Sequence, residues 1–230
     1  MRVPGSDVVP DPVLRFADTP TVADFRTFSA RARANDDGGM RLVASGPVLA
    51  AYVRTLGPTV LGEALPTVLG LRTMALDAAH PLIGPVDTTV ALGSVLDRLA
   101  RMQDGDLAFT LPTVTVTEAW AGVLPPRSGW TPVGSIPNSL LEQAARNGIG
   151  EVARSLPDRA GAPVVSSARA AVWGRELDGV PGSVAAGAAF GAFSLGFLDP
   201  EGDATVHTNG RWSRVSTGRG HILVRAAALF

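Results

Sequence analysis

The stretch DATVHTNGRWSRVSTGRGHILVRA, residues 203–226, decides the fold. Three runs rich in Val, Thr, Ile and Trp are separated by Asn209-Gly210 and by Gly218-Arg219-Gly220. Asn-Gly between alternating runs is the strongest short hairpin signal, because both residues tolerate the positive φ of a two-residue turn. The segment therefore reads as a three-stranded antiparallel meander. With a turn at Asn209-Gly210, Thr208 is expected opposite Arg211, His207 opposite Trp212 and Thr205 opposite Arg214. With a second turn at Gly218-Arg219, Ser216 falls opposite His221, Val215 opposite Ile222 and Trp212 opposite Arg225. One face then holds Ala204, Val206, Val215, Ile222, Val224 and Ala226, which is a core face. The other holds Thr205, His207, Trp212, Arg214, Ser216, His221, Leu223 and Arg225, with His207, Trp212 and Arg225 in one cross-strand row.

That second face is the candidate site. As a structural surface it would show Arg225 stacked on Trp212. As a binding surface, its guanidinium forks would take the oxyanions of a phosphorylated or other anionic small molecule, with Trp212 as a stacking plane. A third arrangement buries it under a Pro-rich loop further upstream. The ligand-binding candidates are Arg214, Arg225, Trp212, His207 and His221, joined by Arg127 and Trp130 from that loop.

Working backwards, residues 179–198 are twenty consecutive uncharged residues. The length would span a bilayer, but Pro181, the glycines at 179, 182, 187, 191 and 196 and the flanking Asp178 and Asp199 argue for a helix buried in a protein core. Pro181 is expected in its first turn. Glycine costs about 1 kcal/mol relative to Ala inside a helix, so the repeated glycines predict a close backbone approach, to the meander or to a second copy.

In the N-terminal half, Thr21 and Asp24 predict a capped helix with Val22, Phe25, Phe28 and Ala32 inward, ending before Asn35. Arg41–Ser45 and Val48–Leu56, joined by Gly46-Pro47, predict a hairpin, and the apolar run Thr67–Leu76 a further strand, with a short helix as the alternative. Asp87 is expected to cap a helix with the stripe Leu92, Val95, Leu96, Leu99 and Met102. Leu107–Trp120 reads as β-prone, interrupted at Pro112. Ala121–Pro137, with four prolines and three glycines, reads as a long loop and the best place for an internal boundary. Ser139 and Glu142 predict a capping box for a helix that continues through Gly148, rather than a helix-turn-helix, because Leu141, Ala145, Ile149, Val152 and Leu156 stay in phase. A further helix is expected over Ser166–Leu177.

Composition narrows the chemistry. The chain of 230 residues has no cysteine and no lysine, all twenty basic residues being arginine. Thiol nucleophiles, thiolate metal sites, Schiff bases and the phosphate-binding lysine of nucleotide triphosphatases are thereby excluded. No nucleophile elbow, zincin motif or dinucleotide fingerprint occurs. Three histidines remain, and His207 and His221 are separated by the middle strand, so no metal site, catalytic residue or cofactor is assigned. The net charge of −1 disfavours nucleic acid.

The expectation is an α+β protein: Met1–Pro12 a disordered tail, residues 13–230 one domain with a boundary in residues 121–137 as the alternative. The expected function is a cytoplasmic, non-catalytic interaction or assembly protein with no membrane contact, a homo-oligomer or bound to a protein partner. It rests on the missing signatures and on 46% hydrophobic against 18% charged residues. The alternative is a binding protein or enzyme for an anionic small molecule on the Arg/Trp/His face, with a DNA-binding regulator third.

Overall fold

The computed structural model describes residues 12–58, 63–82 and 84–227. Most of the segment expected to fray, residues 1–11, lies outside them; the Pro12 carbonyl accepts from the Leu111 N–H at 2.9 Å. A short strand, β1 (Val13–Arg15), leads into α1 (Thr19–Asn35). Its cap is Asp18, not Thr21: the carboxylate accepts from the Thr21 N–H at 2.8 Å and hydroxyl at 2.6 Å. Val22, Phe25, Phe28 and Ala32 form its buried face, as their spacing requires.

The strands β2 (Gly39–Ser45), β3 (Val48–Leu56) and β4 (Thr67–Ala75) form an antiparallel meander, its first hairpin closed by Ser45 opposite Val48. β5 (Val86–Ala91) runs directly into α2 (Leu92–Arg101). Asp87 is therefore a strand residue and not a cap; the β-branched Thr88, Thr89 and Val90 extend the backbone as far as Ala91. Of the β-prone stretch after Leu107, only β6 (Ala108–Thr110), a bridge at Thr115 and a 3-10 turn over Ala119–Gly122 form. The predicted loop ends early, at β7 (Thr131–Pro137). Two prolines are tolerated there because β7 is the outer strand of its sheet.

α3 (Asn138–Ser155) is one helix through Gly148, so there is no helix-turn-helix. The capping box does not form; Glu142 instead accepts from Arg146 at 2.7 Å. α4 (Ala162–Trp173) lies earlier than the predicted 166–177, and α5 (Gly187–Ser194) begins well after Pro181. Between them Gly182 and Ser183 adopt φ of 84° and 50°, which breaks the helix the apolar run suggested. The chain closes with β8 (Asp203–Asn209), β9 (Trp212–Thr217) and β10 (Gly220–Arg225).

Eight strands form one antiparallel sheet in the order β5-β2-β3-β4-β10-β9-β8-β7, while β1 and β6 pair separately. The fold class is α+β, as read from the sequence. Each half supplies helix then meander, and the two meanders meet at β4 and β10, where Leu69 faces Leu223. The strand period of two then divides the sheet into two surfaces. One, with Met40, Leu42, Leu49, Ala51, Val53, Val68, Val206, Val215, Ile222 and Val224, packs against the helices. There the glycines do what their cost implied. A Cβ on Gly187 would lie 3.0 Å from Val68 Cγ2, and one on Gly191 2.9 Å from Thr55 Oγ1, so α5 rests directly on the sheet. The other surface carries a separate core of Leu69, Leu223, Trp212, Trp120 and Ala121.

Candidate functional site

The register of the last meander fixes what the second surface offers. Its second hairpin pairs as predicted, His221 with Ser216 and Arg225 with Trp212. Its first hairpin does not. Asn209 stays in the strand opposite Trp212, the turn is Gly210-Arg211, and His207 faces Arg214 instead of Trp212. Asn209 is held there by its own side chain, whose amide donates to the carbonyls of Ser128 and Gly129 at 2.9 and 3.0 Å. Gly210, at φ 56°, takes the first turn position, where the primed turns require a positive φ. The shift is by two residues, so every side chain keeps its predicted face. Only the row changes, from His207-Trp212-Arg225 to His207-Arg214-Leu223.

The same bonds draw the segment after the 3-10 turn, residues 123–130, across this surface. Trp130 is braced by its indole N–H on the Pro126 carbonyl at 2.9 Å and lies under the Arg214 guanidinium, 4.7 Å from the ring centre. Arg41, which is paired with Asp87 at 2.8 Å, donates to the Ala121 carbonyl and ties down the start of the segment. The surface is thus neither bare nor sealed. Beneath the segment lies a pocket of about 340 Å³. Its floor is apolar, with Val43, Ala50, Leu71 and Leu223, and its polar rim is Tyr52, Arg127, Arg214 and His221.

Of the seven residues singled out in the sequence, the pocket brings together Arg127, Trp130, Arg214 and His221. Trp212 is 7% exposed and belongs to the second core, with the Arg225 guanidinium 5.8 Å from its ring centre. His207 lies one strand away, its buried Nδ1 without a hydrogen-bond partner. Tyr52 and Leu71 were missed because they reach the pocket only through the β4–β10 pairing, which places Tyr52, Leu71, His221 and Ser216 in one row.

Electrostatically the pocket is cationic. Arg214 forms no ion pair among the described residues and its Nε is buried without a hydrogen bond, while Arg127 shares the field of Asp87 with Arg41, which makes the close ion pair. Burial lowers the Arg214 pKa. It also raises that of the Tyr52 phenol, against the pull of Arg127 and Arg41. The His221 pKa is lowered by burial first and then by Arg214, Arg72 and His207. His221 Nδ1 and the Ser216 hydroxyl are 2.8 Å apart. A nucleophile and base would need a carboxylate to stabilise the imidazolium. Two of these neighbours, Arg214 and Arg72, are cations, which disfavour it.

Two family models match the chain, each described as a domain of unknown function: DUF8010 over residues 9–122 and DUF8185 over residues 125–229. Their border falls at the segment that covers the pocket. No curated protein matches. Solved structures do. A DNA polymerase sliding clamp from Pseudomonas aeruginosa is 12% identical, with a TM-score of 0.50, over 95% of this chain and 65% of the clamp. A DnaN sliding clamp (DNA polymerase III subunit beta) of the same organism, bound to griselimycin, is 12% identical with a TM-score of 0.50, over 96% and 66%. A putative DNA polymerase III beta subunit from Eubacterium rectale ATCC 33656 is 7% identical with a TM-score of 0.55, over 95% and 65%. The chain spans about two thirds of the length of these clamps, and at such identities what it shares with them is the fold.

Proposed function

We propose that this chain is a non-catalytic interaction protein of the cytoplasm that folds as a single unit and associates with a second copy of itself. The observation that carries the reading is the apolar surface on α3 and beside it. Leu140 is 51% exposed, whereas Ile149, nine residues on, faces the opposite side of the helix and takes no part in this surface. Leu140 also lines a groove of about 740 Å³ between α3 and residues 175–186, together with Ile136, Ala144, Trp173, Leu177 and Val180. A lone exposed leucine is ordinary, but one set in a groove of mixed lining, where Gln143 and Asn147 stand among the apolar side chains, matches the composition of interaction surfaces. The rim carries Arg175, Glu176 and Asp178, both signs of charge, which suits a two-fold arrangement in which each copy presents the same patch.

The clamp-like fold supports this, since the neighbours are described as DNA polymerase III beta subunits and so as parts of an assembly. The net charge of −1 favours a protein partner over nucleic acid. None of the described helices is long and apolar enough to cross a membrane. Size-exclusion chromatography with light scattering tests the reading. The expected result is a mass above the monomer in the micromolar range, returned to the monomer by Leu140→Asp with an unchanged melting temperature. A clean monomer of the unaltered chain across that range overturns it.

A further inference from the structure

We infer that the pocket under residues 123–130 is a binding site for a small amphipathic organic anion, an apolar or planar body ending in a carboxylate or phosphate. Four features meet there. The volume of about 340 Å³ lies within the range of small-molecule pockets and is too small for a folded partner. The floor of Val43, Ala50, Leu71 and Leu223 is apolar and takes the body of the ligand. Trp130 offers a ring plane at one wall, already used by Arg214 at 4.7 Å.

The fourth feature is charge. Of the guanidinium groups around the pocket, Arg214 has no carboxylate beside it among the described residues, and Arg127 feels only Asp87, which is already paired with Arg41, while Arg72 is paired with Asp24. The buried, unbonded Nε of Arg214 leaves a donor that a bound oxyanion would satisfy. An unpaired desolvated cation is costly to keep, and an anion that supplies the missing partner gains charge-assisted hydrogen bonds. Tyr52 and His221 stand on either side of Leu71 and add two polar contacts to the ligand's charged end.

Calorimetric titration of the whole chain with 2-naphthyl phosphate, 2-naphthoate, 2-naphthol and inorganic phosphate tests this. The account expects saturable one-to-one binding of 2-naphthyl phosphate or 2-naphthoate, with the stronger of the two naming the anionic group. It expects 2-naphthol and inorganic phosphate to bind about tenfold or more weakly, since each lacks one half of the recognition. Arg214→Ala and Arg127→Ala should each weaken the better naphthyl anion by about tenfold or more. Arg127 is exposed, so its variant keeps the test valid should Arg214→Ala disturb the fold. Equal binding of 2-naphthol, unchanged affinity in the Arg127 variant, or no saturable binding of either naphthyl anion would overturn the inference. None of these outcomes bears on self-association through α3.

Discussion

His221 shows how one residue ties the pocket to the stability of the fold. Burial in the sheet first, and then the positive charge of Arg214, Arg72 and His207, hold its folded pKa below the ordinary value of 6.5, while its Nδ1 lies 2.8 Å from the Ser216 hydroxyl. In the window between those two values the unfolded chain binds more protons, so stability is kept above about pH 7 and is lost as the pH falls through about 6.5. The melting temperature should therefore drop between about pH 7.5 and about pH 5.5. His221→Asn, which keeps a hydrogen-bonding group near Nδ1, should show a smaller drop; an equal drop in both proteins would contradict this assignment. Trp212 and Arg225 separate structure from surface in the same way. Trp212→Ala removes a buried ring and should cost about 3–5 kcal/mol in denaturant unfolding. Arg225→Ala loses only a cation-π contact and should cost about 0.5–1 kcal/mol. At this scale the sequence was informative about faces but not about depth. Alternation put Trp212 and Arg225 on one side, yet nothing in residues 203–226 says that Trp120 and Ala121 lie over them.

Helix α3 carries a contrast between two of its glycines. A Cβ on Gly148 would sit 2.3 Å from the Trp173 ring, a rigid buried neighbour, whereas one on Gly150 would meet only the Arg154 Nη1, the end of a flexible side chain, at 3.1 Å. Gly148→Ala should therefore destabilise by about 1–3 kcal/mol through overpacking. Gly150→Ala should stabilise by about 0.5–1 kcal/mol through helix propensity. Chemical denaturation of the two variants checks both signs, and a stabilising Gly148→Ala would contradict the packing of α3 on α4. The elements themselves were legible where periodicity was strong: α1, the β2–β3 hairpin and the final meander follow from apolar spacing, whereas β4 is an apolar run that reads equally as a short helix until its neighbours are known. Misreadings fall where a local signal was overridden by pairing. Asp87 looks like a helix cap until Arg41 on β2 holds it in a strand, and Asn209-Gly210 looks like the turn until the carbonyls of Ser128 and Gly129 capture Asn209. β7 was hidden because Pro132, Gly134 and Pro137 argue against a strand anywhere except at a sheet edge.

Across the whole molecule, the feature with most consequence is the junction of β4 with β10, which no local pattern in either strand announces. Val68, Leu69, Ile222 and Leu223 are all apolar, and such runs do not say which other strand they will face. That junction brings Tyr52 and Leu71 from one half to Arg214 and His221 from the other, so the pocket exists only while both halves share a sheet. On the proposed reading, the regions matched by the two family models fold as one unit. Scanning calorimetry of the intact chain tests this most directly. The account predicts one transition whose calorimetric and van't Hoff enthalpies agree. Two separable transitions, one for each half, would contradict it.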